Sequence, residues 1–219
     1  MTVPQLSQKG QDLITLYEQM AREGFDRTNN KRVESEEAYS RFNLRDYKDL
    51  VAKTFSNHPI STVLDYGCGG SDWQADGFDE ATNNTAVKFF GLSHAYRYEP
   101  ARDIDERQPV DAVISFDVLE HIFIADVPNI LRDMFSYADK LLFLNVACYK
   151  ALALLPNGEN AHITARPPAW WKGMVDSISI EYPEVSVCLL CSTEYRKSKV
   201  YPVWSAKKWA EQDAFVVTT

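Results

Sequence analysis

Cysteine and glycine are scarce in this chain, with four and nine in 219 residues. Four scattered cysteines are too few for the disulfide framework of a small secreted scaffold. A chain of this length buries roughly 70% of its unfolded surface and needs no such staples. Basic charge is also short: 23 Lys and Arg face 31 Asp and Glu, a formal net charge of −8 with an isoelectric point near 5.0. Nucleic acid is therefore not an expected partner, because neutralising phosphates needs a basic face. Long apolar runs are missing as well. The most apolar stretch, residues 141–155, is broken by Asn145 and Lys150, so no membrane span is expected. The opening MTVPQLSQKGQDL has neither a basic nor an apolar region of signal-peptide type. These absences lead to the expectation of a soluble, cytoplasmic protein.

Cys188 and Cys191 form a CxxC, but residues 185–191 read as a strand, where positions three apart face opposite ways. No second pair completes a zinc set, so no metal ligands are assigned and both thiols are expected to be buried apolar groups.

Acidity is concentrated in the middle third. Residues 61–140 carry six basic and fifteen acidic side chains, whereas residues 1–60 are balanced and residues 141–219 carry eight against seven. Carboxylates there solvate loops, and a few could define a site for a cationic or hydroxyl-rich ligand. Arg196, Lys197, Lys199, Lys207 and Lys208 make the C-terminal part mildly basic, as a solvated turn and tail.

Leu13, Leu16, Tyr17 and Met20 repeat at helical spacing, and Tyr47, Leu50, Val51 and Phe55 mark a second helix ended by Asn57-His58-Pro59. The rhythm then changes. Residues 61–66 form a β-branched run, and residues 110–116 and 141–147 are apolar runs of buried-strand type. Between the latter two, Val127, Ile130, Leu131, Met134, Phe135 and Ala138 form an amphipathic helix, and Trp170, Trp171, Met174, Val175 and Ile178 line one side of another. Strand alternating with helix predicts an α/β fold: a Rossmann-like, doubly wound, mostly parallel sheet with helices on both faces. Residues 1–59 are expected to be an N-terminal helical extension or lid, and residues 60–219 the Rossmann-like domain.

Three of the nine glycines stand at 67, 69 and 70, directly after the first of these strands. Such a cluster marks a turn that something approaches closely. A dinucleotide fingerprint would need glycine at position 72, which is Asp, and no Gly-Lys-Ser/Thr ending makes a P-loop. Asp65 and Asp72 oppose an anion and suit a ligand with positive charge.

VLDYGCGGS (residues 63–71) resembles the first motif of the class I S-adenosylmethionine-dependent methyltransferases. AYRYEP (95–100) resembles their second-strand end, and ISFDVLEHI (114–122) their fourth-strand motif. The likeness covers about residues 61–178 and extends to a group of small methyltransferase-like proteins of bacterial and phage genomes. It implies S-adenosylmethionine as cofactor, held by Asp65, Tyr66, Gly67, Cys68 and Gly69 in the loop. Glu99 would bind ribose hydroxyls, and Asp117 with Val118 would lie beside the adenine or methionine portion. Two departures stand out: Ser71 replaces a frequent glycine, and residues 101–109 are too short for a full third strand, leaving the adenine contact unassigned between Asp103, Asp105 and neither.

Methyl transfer requires alignment of nucleophile and methyl carbon in a site closed to water, with a base only where the nucleophile must lose a proton. Polar residues 155–171, after the fifth strand, offer acceptor contacts: Asn160, His162 and Trp171, with Tyr17 reaching over if the first helix is a lid. His162 is the candidate base, and Asp117 is counted with it as catalytic. His121 is either structural or faces the pocket, and one of Trp170 and Trp171 packs in the core while the other lines the site. The Arg166-Pro167-Pro168 sequence follows the wrong strand for an amino-methylating nucleic-acid enzyme. A small-molecule acceptor, such as a sugar or metabolite hydroxyl, is the resulting expectation. The alternative is a catalytically silent protein that keeps the cofactor fold, and a nicotinamide dehydrogenase is weakened by Asp72.

Overall fold

The Leu13–Met20 stripe forms α1 (Gln8–Glu23), whose N-cap Ser7 accepts the Gly10 N–H on its hydroxyl. The computed structural model describes residues 5–207 and 214–219, so Lys208 lies outside the described residues. After α1 come a short hairpin, β1 (Phe25–Asp26) and β2 (Arg32–Val33), and then α2 (Lys48–Ser56). The main sheet is built from β3 (Thr62–Tyr66), β4 (His94–Glu99), β5 (Ile104–Asp105), β6 (Val110–Phe116), β7 (Ala138–Ala147), β8 (Ser186–Glu194), β9 (Lys197–Trp204) and β10 (Phe215–Thr218). Three further helices, α3 (Ala86–Phe90), α4 (Val127–Tyr137) and α5 (Pro168–Ser179), connect its strands.

The fold is α/β with an eight-stranded mixed sheet in the order β10-β9-β8-β7-β6-β3-β4-β5. Four of its strand pairings are parallel and three antiparallel. Strands β4, β3, β6, β7 and β8 pair in parallel, but β5, β9 and β10 pair antiparallel to their neighbours. The reasons are local. Residues Tyr195 and Arg196, the latter at φ 60°, close a tight hairpin from β8 to β9, and a hairpin joins only antiparallel strands. In β9, buried Ser198 and Val200 alternate with Lys197 and Lys199, so a run that reads as a charged tail is an alternating strand. At the other end, the short segment after β4 holds only the two-residue β5, reached through a turn with Asp103 at φ 55°.

Apolar side chains alternate between two cores. Leu64, Val113, Leu142 and Leu189 face α4 and α5, while Val63, Ile114, Phe143 and Leu190 face α2 and α3. The CxxC obeys the same alternation, with Cys191 in the first core and Cys188 in the second, both buried free thiols. Because α2 shares the core of the sheet, residues 43–56 are built into the α/β body. Among the described residues no helix is long and apolar enough to cross a membrane.

Helix α1 crosses the carboxyl edge of the sheet, from the start of α4 to the Pro100–Arg102 turn. Its N-terminus is pinned by Asp126, which is buried and accepts the Ser7 N–H at 2.8 Å and the Ser7 hydroxyl at 2.7 Å. A carboxylate at a helix N-terminus is favoured by the helix dipole. Gly10 makes this approach possible, since a Cβ there would lie 2.2 Å from Asp126 Oδ2. Gly10→Ala is therefore expected to cost about 1–3 kcal/mol of stability. Denaturant titration should show the loss, and limited proteolysis should show cleavage before residue 24 while the sheet stays intact.

Candidate functional site

The strand order reverses between β3 and β6, and ligands of open α/β sheets bind outside the carboxyl ends of the strands at such a reversal. Two groups of residues meet there. The first is the glycine loop. Gly67 and Gly69 lie at φ 81° and 54°, and a Cβ on Gly67 would meet the Val118 side chain at 2.4 Å. The loop is braced by its own chain. The Gly67 and Cys68 N–H groups donate to Tyr98 O, Gly70 N–H donates to Tyr39 O, and Gly69 N–H donates to Glu99 Oε2 at 2.9 Å. Glu99 Oε1 also accepts the Ala101 N–H, so this carboxylate spans two backbone donors while burial pushes its pKa up.

The other loop side chains turn inward. Asp65 is buried beside Trp73, whose indole N–H donates to it at 2.9 Å. Tyr66 donates to Asp133 and packs on Tyr98, with ring centroids 4.7 Å apart. Burial pushes the Cys68 thiol well up, leaving it protonated. The backbone of the loop, with Glu99, is thus the part presented at the edge. Tyr39, at φ 55°, seats its backbone on Gly69 and Gly70 and keeps its hydroxyl buried without a partner.

The second group is built on the turn after β6 and the loop after β7. Asp117 sits at φ 60°, and its carboxylate accepts from Asn43 at 3.1 Å. His162 Nε2 lies 4.0 Å from Asp117 Oδ1, and the His121 and His162 rings meet edge to face with centroids 4.9 Å apart. His162 Nδ1 faces Tyr149 O at 2.6 Å and His121 Nδ1 faces Ala161 O at 2.9 Å. A carbonyl only accepts, so each Nδ1 carries a proton, and the neutral form of each ring holds its free lone pair on Nε2. Burial, reinforced by His162 and opposed by Asp117, lowers the His121 pKa to about 4. Glu120 is fully buried: one oxygen accepts the Ala147 N–H and the other has no partner. Burial, then the charge of Asp117, pushes its pKa far up.

Tyr17, from α1, donates to Ala161 O at 2.8 Å and lies 3.2 Å from His121 Nδ1, which brings α1 to this cluster. Asn160 braces the loop: its amide bonds both Ala151 N–H and C=O, and its oxygen also accepts the His162 N–H. The expected acceptor role of Trp171 is corrected. The helical phase of α5 turns it fully into the first core, and Trp170 is the half-exposed member of the pair. Asp105 is paired with Arg107, which also binds Asp133 and stacks on Tyr98. A groove of about 370 Å³, lined among others by Arg41, Arg45, Asp46, Tyr195 and Arg196, opens beside the Asn43 segment.

The meeting of Asp117, His121 and His162 escaped the sequence reading. DVLEHI places the first two together, but nothing in a separation of 41 residues brings His162 to His121. Trp73, Tyr39 and Asn43 carried no motif at all. No protein-family model, curated protein or solved structure matches the chain.

Asp65 generates a pH prediction. Burial raises its pKa from the ordinary 3.8 to about 7, against the lowering effect of the Trp73 bond. The folded chain thus binds the proton more tightly than the unfolded one. Its contribution to stability is full below about pH 4 and is lost as the pH rises through about 7. Asp65→Asn keeps an acceptor for Trp73 and removes this loss. Relative to the parent, the variant should gain stability progressively from pH 4 to pH 8, by an amount on the order of 4 kcal/mol. Parallel urea titrations across that range check it, and a constant difference would refute the protonated Asp65.

Proposed function

We propose that this chain is an S-adenosylmethionine-dependent methyltransferase acting on a hydroxyl of a small-molecule acceptor, with its five parallel strands as a Rossmann-like, doubly wound core. One observation carries the reading: the Gly67–Gly70 loop, Glu99 and Asp117–Val118 converge where the strand order reverses. These are the three motif segments of the resemblance, drawn from residues up to 51 apart in the chain.

The residues suit such a cofactor. Glu99 and Asp117 supply negative charge for a cationic ligand, and each Glu99 oxygen keeps a lone pair beyond its backbone bond, for ribose hydroxyls. When bound, S-adenosylmethionine supplies a methyl group on a positively charged sulfur. The chain's own work is to align the acceptor and exclude water. Tyr39 and its neighbours, seated on the glycine loop, and α1, docked over the cluster, close the edge from above. His162 Nε2, bare and facing Asp117, takes the proton that the acceptor hydroxyl gives up. The four unpaired thiols suit a cytoplasmic setting.

The internally satisfied glycine loop also favours a second reading, a silent protein that keeps this edge closed for partner contact. Titration calorimetry separates the two. Micromolar binding of S-adenosylmethionine and S-adenosylhomocysteine, absent with NADH, is expected. It should weaken at least about tenfold in Glu99→Ala, the loss of charge-assisted hydrogen bonds. No heat with either ligand would overturn the methyltransferase reading.

A further inference from the structure

We infer that Asp117, His121 and His162 form a binding site for a first-row divalent cation of the Mn²⁺, Fe²⁺, Co²⁺ or Zn²⁺ type. Each of the three offers a ligand atom, and these atoms all lie within 4.8 Å of one another. Tetrahedral ligands about 2.1 Å from one ion lie about 3.4 Å apart, so closing the set needs side-chain movements of up to about 1.4 Å.

The surroundings are those of metal ligands. A ligating histidine donates its other ring N–H to a carbonyl or carboxylate, which fixes the tautomer and aims the lone pair. Both rings do this, His121 to Ala161 O and His162 to Tyr149 O. The third donor is fixed as tightly. Asp117 adopts a left-handed backbone, donates its N–H to Asn145 O and has its carboxylate held by Asn43. Beside them Glu120 Oε2 is fully buried and makes no hydrogen bond among the described residues. The Asp117 carboxylate and the two imidazole Nε2 atoms gather lone pairs at one point, and a dication takes them up.

Ligand chemistry selects the class of ion. Imidazole nitrogen suits Zn, Fe, Ni and Cu, whereas Mg²⁺ and Ca²⁺ favour all-oxygen sets. Asp117 leaves two-fifths of its side chain exposed, so the ion would keep open positions toward solvent. Under the methyltransferase reading, and only there, the cation would acidify an acceptor hydroxyl bound at such a position, with His162 as a ligand and solvent taking the proton. The cation site itself does not rest on that reading.

The test uses the whole chain, stripped with a chelator and then titrated with Co²⁺ and Mn²⁺ without S-adenosylmethionine. Visible ligand-field bands at one equivalent of Co²⁺ and loss of the free Mn²⁺ paramagnetic resonance signal are expected. His162→Gln and Asp117→Asn should each weaken Mn²⁺ binding at least about tenfold, while Glu159→Gln, on the surface, leaves it unchanged. Far-ultraviolet circular dichroism checks the fold of each variant. If a variant unfolds, the parent chain decides alone, through its Co²⁺ spectrum and a melting temperature raised by Mn²⁺ and returned by chelator. A spectrum of hydrated Co²⁺ with an unshifted melting temperature would overturn the site. Cation binding without S-adenosylmethionine binding would keep it and refute only the methyltransferase reading.

Discussion

Everything at the carboxyl edge depends on β3 pairing in parallel with β4 on one side and β6 on the other. Parallel neighbours need crossover connections, and crossovers of one hand leave on opposite faces when they run in opposite directions. Accordingly α3 packs in one core and α4 and α5 in the other. The chain ends that emerge between them, Gly67 and Val118, touch across the reversal. Loops that diverge leave a crevice, and the residues around it answer to that geometry.

Polar groups gathered in such a crevice lose water, and the chain compensates almost everywhere with backbone. Glu99 spans two amides, each histidine leans on a carbonyl, and Asn160 uses both ends of its amide on Ala151. Backbone partners do not rearrange as side chains do, so they fix orientation as well as energy. Glu120, half satisfied at the centre of the cluster, and the buried Tyr39 hydroxyl are exceptions among the described residues.

The fold was legible where one physical signal dominated. Strands β6 and β7 are apolar runs, α4 carries its stripe, and the glycines bend the chain as their clustering requires. The mixed character of the sheet was not legible. Lys197 and Lys199 hide the inward alternation of β9, and no local pattern tells a returning antiparallel strand from a solvated tail. At the site, DVLEHI announced itself. The approach of His162 depends on a loop tied to the Glu120–Ile122 turn through Thr164, a contact that exists only once the strands are in register. Trp171 shows the converse limit: two adjacent tryptophans on one helix differ only by phase, and burial decides between them.

The docking of α1 carries a consequence for synthesis. Ser7 finds its carboxylate 119 residues downstream, and Tyr17 its carbonyl 144 residues downstream. Helix α1 therefore leaves the ribosome well before its partners do. Until residues 126 and 161 are made, α1 has only its own weak helical propensity, and the crevice assembles uncovered. The molecule builds its workplace first and its roof afterwards, although the roof is encoded first.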